Sequence, residues 1–207
     1  MLKSVRSLEI GCCHFRLAKF DGMSTDELMS YVSGFRADGI FAVAELLRRG
    51  VSVDELYKVT AITPLFLESI LKIVKEEKVL EENVGNIDVL KEAKVLGFAD
   101  KYIAKLWNMP EIEIYKTRKE NGIKPVFRMV DTLHTGKYIA YLYSSYTGEN
   151  DSRLGDKKKI VVLGSGPIRI GQGVEFDYST VHAVQTIRAA GFEAIIINNN
   201  PETVSTD

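Results

Sequence analysis

This sequence of 207 residues has few cysteines, no long apolar run and almost no net charge. The two cysteines, Cys12 and Cys13, are neighbours, and adjacent cysteines do not easily meet disulfide geometry because their Cβ atoms point apart. No metal-ligand spacing surrounds them, so we expect reduced thiols, as in a cytoplasmic protein. The formal net charge of -1 does not favour nucleic-acid binding.

Features of membrane and secreted proteins are also missing. No apolar run approaches the roughly 20 residues that a helix needs to span a bilayer. The N-terminus, MLKSVRSLEI, lacks the apolar stretch and the small-residue cleavage site of a signal peptide. We therefore expect a cytoplasmic location and no membrane partner.

The first part of the chain carries the patterns of short, capped helices. Ser24 or Thr25 and then Ser52 precede early acidic residues, and a hydroxyl there can accept the free N–H groups of the first turn. Thr63-Pro64 predicts another start, because proline is tolerated in the first turn. Apolar residues at helical spacing predict two buried stripes, formed by Ile40, Val43, Ala44 and Leu47 and by Leu67, Ile70, Leu71 and Val74.

Part of this pattern recurs 47 residues later, which is the separation of Gly50 and Gly97. Both glycines are expected to end one helix and open the next. Short helix-turn-helix units share such features, but the recurrence predicts two similar helical subdomains. The matched residues are Leu56 with Ile103, Lys58 with Lys105, and Val59 with Leu106.

A further helix is predicted over Glu111 to Glu120, ended by Asn121-Gly122. Residues 124–131 and 137–146 then become aromatic and β-prone, which predicts extended segments. The polar, glycine-containing stretch 147–156 predicts a linker.

The remaining residues predict a strand, a helix and a second strand. KKKIVVLG predicts a fully buried parallel strand, Phe176 to Ala190 a helix, and Phe192 to Asn198 the second strand. This order is typical of a right-handed βαβ crossover. We therefore expect a mainly α protein whose helical part is followed by an incomplete, Rossmann-like α/β segment over residues 157–207.

Glycines concentrate between the predicted strand and helix, at Gly164, Gly166, Gly171 and Gly173. Glycine permits close approach of a ligand to the backbone, and a helix N-terminus suits phosphate or carboxylate. A dinucleotide fingerprint would need glycine where Arg169 stands, and no Walker lysine follows. Two interpretations stay open: an anion-binding loop, and a strand-to-helix turn without a ligand.

The loop belongs to a longer string that resembles a known family. GSGPIRIGQGVEFDYSTVHA at 164–183, followed by NNNPETVSTD at 198–207, is similar to the start of each synthetase half in the carbamoyl phosphate synthetase large subunit. The string IFAVAELLRRGVSVDELYKVTAITPLFL at 40–67 resembles the domain between the two halves. Leu65 departs from the family, which usually has an aromatic residue there.

The resemblance implies three segments. Residues 1–146 would form a helical connecting or oligomerisation domain, and residues 147–156 a linker. Residues 157–207 would form the truncated N-terminal part of the pre-ATP-grasp domain of the second half. The resemblance also implies substrate-side roles for Gly164, Gly166, Arg169, Gly171, Gln172, Gly173, Glu175, Asp177, Asn200, Pro201 and Thr203.

The family's activity would belong to the parent enzyme, an ATP-dependent ligase. The parent makes carbamoyl phosphate from bicarbonate, glutamine-derived ammonia and two MgATP, for arginine or pyrimidine biosynthesis. The resemblance implies that this chain alone holds no catalytic residue, cofactor or metal. The implied partners are a second copy, the rest of the large subunit and the glutamine amidotransferase small subunit.

Two alternatives from other classes stay open on the sequence alone. The first is a stand-alone nucleotide-binding α/β protein that uses the glycine loop. The second is a helical protein-interaction module, because LGFADKYIAKL resembles ubiquitin-associated and helix-turn-helix units.

Overall fold

The computed structural model describes residues 1–7, 10–131, 136–164 and 177–198. The chain divides into two compact units, Met1–Ser152 and Arg153–Asp207. Within the described residues, no helix combines the length and the apolar character needed to cross a membrane.

The first unit is built from helices and one β-hairpin. Its described helices are α1 (Leu2–Ser7), α2 (Thr25–Ser33), α3 (Gly39–Arg48), α4 (Val53–Thr60), α5 (Pro64–Glu82), α6 (Ile87–Leu96), α7 (Asp100–Leu106) and α8 (Glu111–Glu120). A short 3₁₀ turn, Ala18–Phe20, precedes α2.

Serine caps begin two of these helices, as predicted. The Ser24 and Ser52 hydroxyls accept the backbone N–H groups of Glu27 and Glu55, each at 3.2 Å. Each glutamate carboxylate accepts the serine N–H in return, at 2.6 and 3.0 Å. These two reciprocal pairs are capping boxes, which satisfy N–H groups that have no partner inside the helix.

The core of the first unit is more extensive than the predicted stripes. Helix α3 is buried on most sides, since Phe41, Ala42 and Leu46 are enclosed together with the predicted Val43, Ala44 and Leu47. The predicted Ile40 and Leu71 are only half-buried. The prediction of a single buried stripe was wrong for α3, because this short helix packs against both α2 and α5 and is therefore buried on more than one side.

The helix bounds follow the predicted 47-residue repeat. Helices α3, α4 and α5 correspond in order to α6, α7 and α8, and Gly50 and Gly97 both adopt the left-handed conformation, with φ of +89° and +93°. Buried side chains occupy equivalent positions in the two copies: Leu56 with Ile103, and Leu67 with Ile114.

The hairpin follows α8. Strands β1 (Val126–Met129) and β2 (Leu142–Ser145) pair antiparallel, with Val126 opposite Ser145, so both predicted extended segments contain a strand. The beginning of the predicted linker bonds to the outer edge of β1. Asn150 Oδ1 accepts the Phe127 N–H at 2.9 Å, and Asp151 donates its backbone N–H to the Phe127 carbonyl at 2.8 Å.

The second unit contains strand β3 (Lys159–Leu163), helix α9 (Tyr178–Ala189) and strand β4 (Glu193–Ile197). The strands are parallel, with Lys159 opposite Glu193 and Leu163 opposite Ile197. The prediction of a fully buried strand was wrong, because Val161 is 52% and Leu163 is 76% exposed. A pair of strands with one helix cannot cover both of its apolar faces.

Candidate functional site

Helix α5 carries a buried carboxylate, Glu77, on which three other segments converge. Its Oε2 accepts a hydrogen bond from Arg48 Nε at 3.0 Å and lies 2.9 Å from Arg48 Nη2 in the same ion pair. Its Oε1 accepts a short hydrogen bond from the Tyr102 hydroxyl and lies 3.6 Å from Arg16 Nη1. His14 Nε2 lies 3.5 Å from Oε2. We call these five residues the Glu77 cluster.

The cluster fastens the segment before α2 to the helices. Arg48 also donates to the Phe15 carbonyl at 2.7 Å, so one guanidinium bridges α3, α5 and this segment. The His14 ring stacks on the Tyr102 ring with 3.9 Å between centroids and 17° between planes. Charge, hydrogen bonding and ring stacking therefore hold residues 14–16 against α5 and α7.

Burial and neighbouring charges shift the pKa values of Glu77 and His14. Burial by itself raises the pKa of Glu77, but contact with His14, the charge of Arg48 and the Tyr102 hydroxyl outweigh it and lower the pKa to about 2. The distance of 3.5 Å to His14 is long for a hydrogen bond, so we assign the larger part of this pKa shift to Arg48 and Tyr102. Burial lowers the pKa of His14 below 6.5, so its imidazole is neutral at pH 7.

A second polar cluster fastens the hairpin to the second helical repeat. Asp100 accepts hydrogen bonds from Lys94 Nζ and Arg118 Nε, both at 2.8 Å. Lys94 also donates to the Phe98 carbonyl at 2.6 Å. The Tyr146 ring, just after β2, has Lys94 Nζ 4.9 Å and Arg118 Cζ 5.9 Å from its centroid. We call Lys94, Asp100, Arg118 and Tyr146 the Asp100 cluster.

Opposing effects set the pKa values in the Asp100 cluster. Burial lowers the pKa of Lys94, although Asp100 opposes this shift. Burial raises the pKa of Asp100, but hydrogen bonds from Lys94 and Arg118 outweigh it, and the pKa lies below 3.8. In each cluster one carboxylate is paired with two cationic side chains of the same unit, and this arrangement is that of structural support.

The outer surface of the helices presents large apolar side chains. The most exposed at the junction of α4 and α5 are Tyr57 at 48%, Leu65 at 67% and Phe66 at 55%. In the second repeat, α8 exposes Ile112 at 55% and Tyr115 at 41%. Exposed apolar side chains that lie next to one another are typical of surfaces that bind another protein.

The two cysteines line a cleft of about 240 Å³ beside His14, Arg16 and Tyr102. Both are free thiols, and Cys12 Sγ donates to the His14 carbonyl at 2.6 Å. In the part of the chain that the structure describes, no three His, Cys, Asp or Glu side chains are grouped as metal ligands would be.

Two of the predicted substrate-side residues lie in the described part of the second unit. Gly164 follows β3, and its backbone N–H donates to the Ile197 carbonyl at 2.8 Å. A Cβ atom at Gly164 would lie 3.0 Å from Ile196 Cγ2 and 3.2 Å from Asn198 Nδ2, so a larger residue would require these side chains to shift. Asp177 is buried at the start of α9.

The other predicted substrate-side residues lie outside the described part of the chain. They are Gly166, Arg169, Gly171, Gln172, Gly173, Glu175, Asn200, Pro201 and Thr203. Their roles stay predictions.

Sequence reasoning missed the residues of both polar clusters. Glu77 had a usable signal, since it follows Ile70 by seven residues and Val74 by three and therefore continues the buried stripe of α5. A charged side chain on such a stripe needs a buried partner of opposite charge. Its partners Arg48 and Tyr102 come from distant parts of the sequence, and their identity had no local signal.

These features define a class of protein: a helical domain with exposed apolar side chains that precedes a small parallel α/β unit. Comparison with family models identifies both parts. The model for the carbamoyl-phosphate synthetase large chain, oligomerisation domain, matches residues 1–122, and the model for the carbamoyl phosphate synthase preATP-grasp domain matches residues 156–207. The chain therefore belongs to the carbamoyl phosphate synthase large-chain family, as the sequence predicted.

Proposed function

We propose that the helical unit of this chain joins copies of a carbamoyl phosphate synthase large chain through self-association. The match of residues 1–122 to the oligomerisation domain is the observation that carries this proposal. The charged groups of the Glu77 and Asp100 clusters pair with one another inside the unit, and apolar side chains such as Leu65 and Phe66 are exposed on its surface. A surface of this kind can bury apolar area against a second copy.

The parent enzyme, in this proposal, makes carbamoyl phosphate from bicarbonate, ammonia derived from glutamine, and two MgATP. The helical unit connects its two synthetase halves, and residues 157–207 begin the second half. A glutamine amidotransferase small subunit is the partner that supplies ammonia, and the enzyme acts in the cytoplasm. The match of residues 156–207 to the preATP-grasp domain supports this arrangement.

Phosphoryl transfer in the parent needs groups that neutralise the charge of the transferring phosphoryl group, and these belong to the ATP-grasp fold. The two matched domains are an oligomerisation and a preATP-grasp domain. We expect the purified chain to hydrolyse no ATP in the presence of Mg²⁺ with bicarbonate or carbamate. ATP hydrolysis that co-elutes with the chain through purification would contradict this expectation.

The proposed substrate-side role of the loop rests on the family match and on the tight packing of Gly164 against β4. This packing fixes the point at which the loop leaves the sheet. The loop would then shape the acceptor-substrate side of the second half, next to the ATP-grasp portion.

The solution mass of the chain, measured by light scattering over a concentration series, tests self-association. We expect a dimer or a larger species. Because the half-exposed strand β3 could also pair with another copy, the same series is run on Val161→Lys, which places a charge on that strand. An oligomer that survives this substitution supports association through the helical unit. A monomer at all concentrations, or an oligomer lost in Val161→Lys, would rule it out.

A further inference from the structure

The junction of α4 and α5 exposes three large apolar side chains within ten residues of chain. Tyr57 lies in α4, and Leu65 and Phe66 lie in the first turn of α5. Their neighbours Leu56 and Leu67 are fully buried, so the two helices direct one face inward and this apolar face outward. We call Tyr57, Leu65 and Phe66 the α4–α5 corner.

Backbone hydrogen bonds fix the shape of this corner. Ala61 ends α4 in the left-handed conformation, with φ of +54°, and donates its N–H to the Tyr57 carbonyl at 2.9 Å. The Phe66 N–H donates to the Thr63 carbonyl at 2.9 Å, which opens α5. The connection is therefore short and ordered, and the three side chains are presented without a flexible loop, which lowers the entropic cost of binding.

Charged residues of both signs surround the corner. Asp54 and Lys58 lie on α4, and Glu68 and Lys72 lie on α5, and all four are exposed. In the described part of the chain, none of these four forms an ion pair within 4.0 Å with another residue. These four charges sum to zero, and the exposed Glu55 of α4, which is engaged in the Ser52 cap, adds one negative charge, so the net charge of the surface stays small and two copies would repel each other only weakly. In a two-fold contact each acid can face a base of the other copy.

The second repeat supplies a natural comparison. Ile112 occupies the position of Leu65 at the 47-residue offset and is also exposed. The other two corner positions differ in character between the repeats. Tyr57 corresponds to Ala104, which is buried, and Phe66 corresponds to Glu113, which pairs with Lys116. The apolar cluster is thus a feature of the first repeat that the repeat architecture itself does not require.

We propose that the α4–α5 corner is the centre of a two-fold contact between two copies of this chain, with Lys58 of each copy facing Glu68 of the other. This inference rests on the proposed self-association and assigns it a surface. Each corner side chain leaves roughly 100 Å² exposed, on the scale of 150–250 Å² for a whole aromatic side chain. Since a stable interface buries about 800 Å² per partner, the flanks of α4 and α5 complete the contact.

Sedimentation equilibrium of the full chain tests the surface with a matched pair of variants. Leu65→Asp places a charge at the centre of the corner, and we expect the dissociation constant for self-association to rise at least about tenfold. Ile112→Asp makes the same change at the equivalent position of the second repeat, and we expect less than about a twofold change. Both residues are exposed, so both variants should retain the far-UV circular dichroism of the parent chain.

Charge exchange tests the facing pair. Lys58→Glu should weaken association, because two acids then meet across the axis, and the double variant with Glu68→Lys should restore it. If the parent chain is monomeric, the proposed function itself fails. If the chain self-associates but Leu65→Asp raises the dissociation constant no more than Ile112→Asp does, the α4–α5 corner is not the contact surface. The proposed self-association would then still hold. Failure of the double variant to restore association overturns the facing pair.

Discussion

Replacing Glu77 with glutamine removes the negative charge at the meeting point of α3, α5, α7 and the segment before α2. Glutamine has nearly the same shape and can still accept the hydrogen bond from Tyr102. It cannot balance the charge of Arg48, which is held 2.9 Å away and is itself largely buried. Arg48 then keeps the Glu45 carboxylate, whose Oε2 lies 3.2 Å from Nη1, but losing one side of a buried ion pair is usually costly.

The size of the effect follows from the pKa of Glu77. A pKa that falls from 4.5 in the unfolded chain to about 2 in the folded chain corresponds to about 3 kcal/mol of folding free energy at pH 7, at roughly 1.4 kcal/mol per pH unit. Because the folded-state pKa is the lower one, this stabilisation is fully present above pH 4.5 and is lost as the pH falls from 4.5 towards 2. Glu77→Gln should therefore lose about 3 kcal/mol at neutral pH.

Urea unfolding followed by tryptophan fluorescence measures this loss. Trp107 is the sole tryptophan, is buried in the helical unit and donates to the Leu80 carbonyl on α5 at 2.8 Å. Its emission therefore reports the unfolding of the unit that contains Glu77. The free energy of unfolding of the unsubstituted chain should fall as the pH is lowered from 5 to 3. The free energy of unfolding of Glu77→Gln should change less over this range.

Glu82→Gln is the matched control on the same helix. The Glu82 side chain is 62% exposed and lies 3.7 Å from Lys78, and surface pairs of this kind contribute little, so its loss should stay below about 0.5 kcal/mol. The reasoning would be refuted if Glu77→Gln were as stable as Glu82→Gln at pH 7. Parallel pH curves for Glu77→Gln and the parent chain between pH 5 and pH 3 would refute it as well.

Three further predictions concern other parts of the fold. His14→Phe removes a buried imidazole whose pKa lies below 6.5, and protonation of this imidazole destabilises the fold as the pH falls below 6.5. The difference in unfolding free energy between pH 7 and pH 5, measured by urea titration, should therefore be smaller in the variant. Tyr146→Leu removes a ring that contacts two cations and should lower the unfolding free energy by about 1–2 kcal/mol. It should also speed amide hydrogen exchange in β1 and β2, whereas Tyr143→Leu, at an exposed position, should have neither effect. Gly164→Ala places a methyl group 3.0 Å from Ile196 Cγ2 and should speed exchange in β4; unchanged protection there would show that the sheet yields without cost.

Local signals in the sequence were sufficient for most element bounds of the helical unit. Ser24 and Ser52 begin helices with the expected caps, and Glu111–Glu120 is a helix with the bounds that the sequence predicted. These signals work because a cap or a left-handed glycine acts within one turn of the chain. The 47-residue recurrence was visible for the same reason, since it repeats these local signals.

Burial and polar partnership were predicted less well, because both depend on distant residues. The apolar run of β3 predicted a fully covered strand, yet Val161 and Leu163 are largely exposed in a sheet of this size. The pairing of Glu77 with Arg48 joins positions 29 residues apart, and no periodic pattern specifies such a partner. The proposed association surface was also not visible, since Leu65 was noted in the sequence only as a departure from its family.

The order in which α5 meets its partners has a consequence for synthesis of the protein. Helix α5 is complete at Glu82, but Glu77 bonds to Tyr102, 25 residues further along, and the Leu80 carbonyl bonds to Trp107, 27 residues further along. At translation rates of about 5–20 residues per second, these residues are synthesised roughly one to five seconds after α5 is complete. The nascent chain therefore passes through a stage in which α5 can already pack on α3 and α4 but its contacts with α7 are still missing, and slower translation of the residues between Glu82 and Trp107 would prolong this stage.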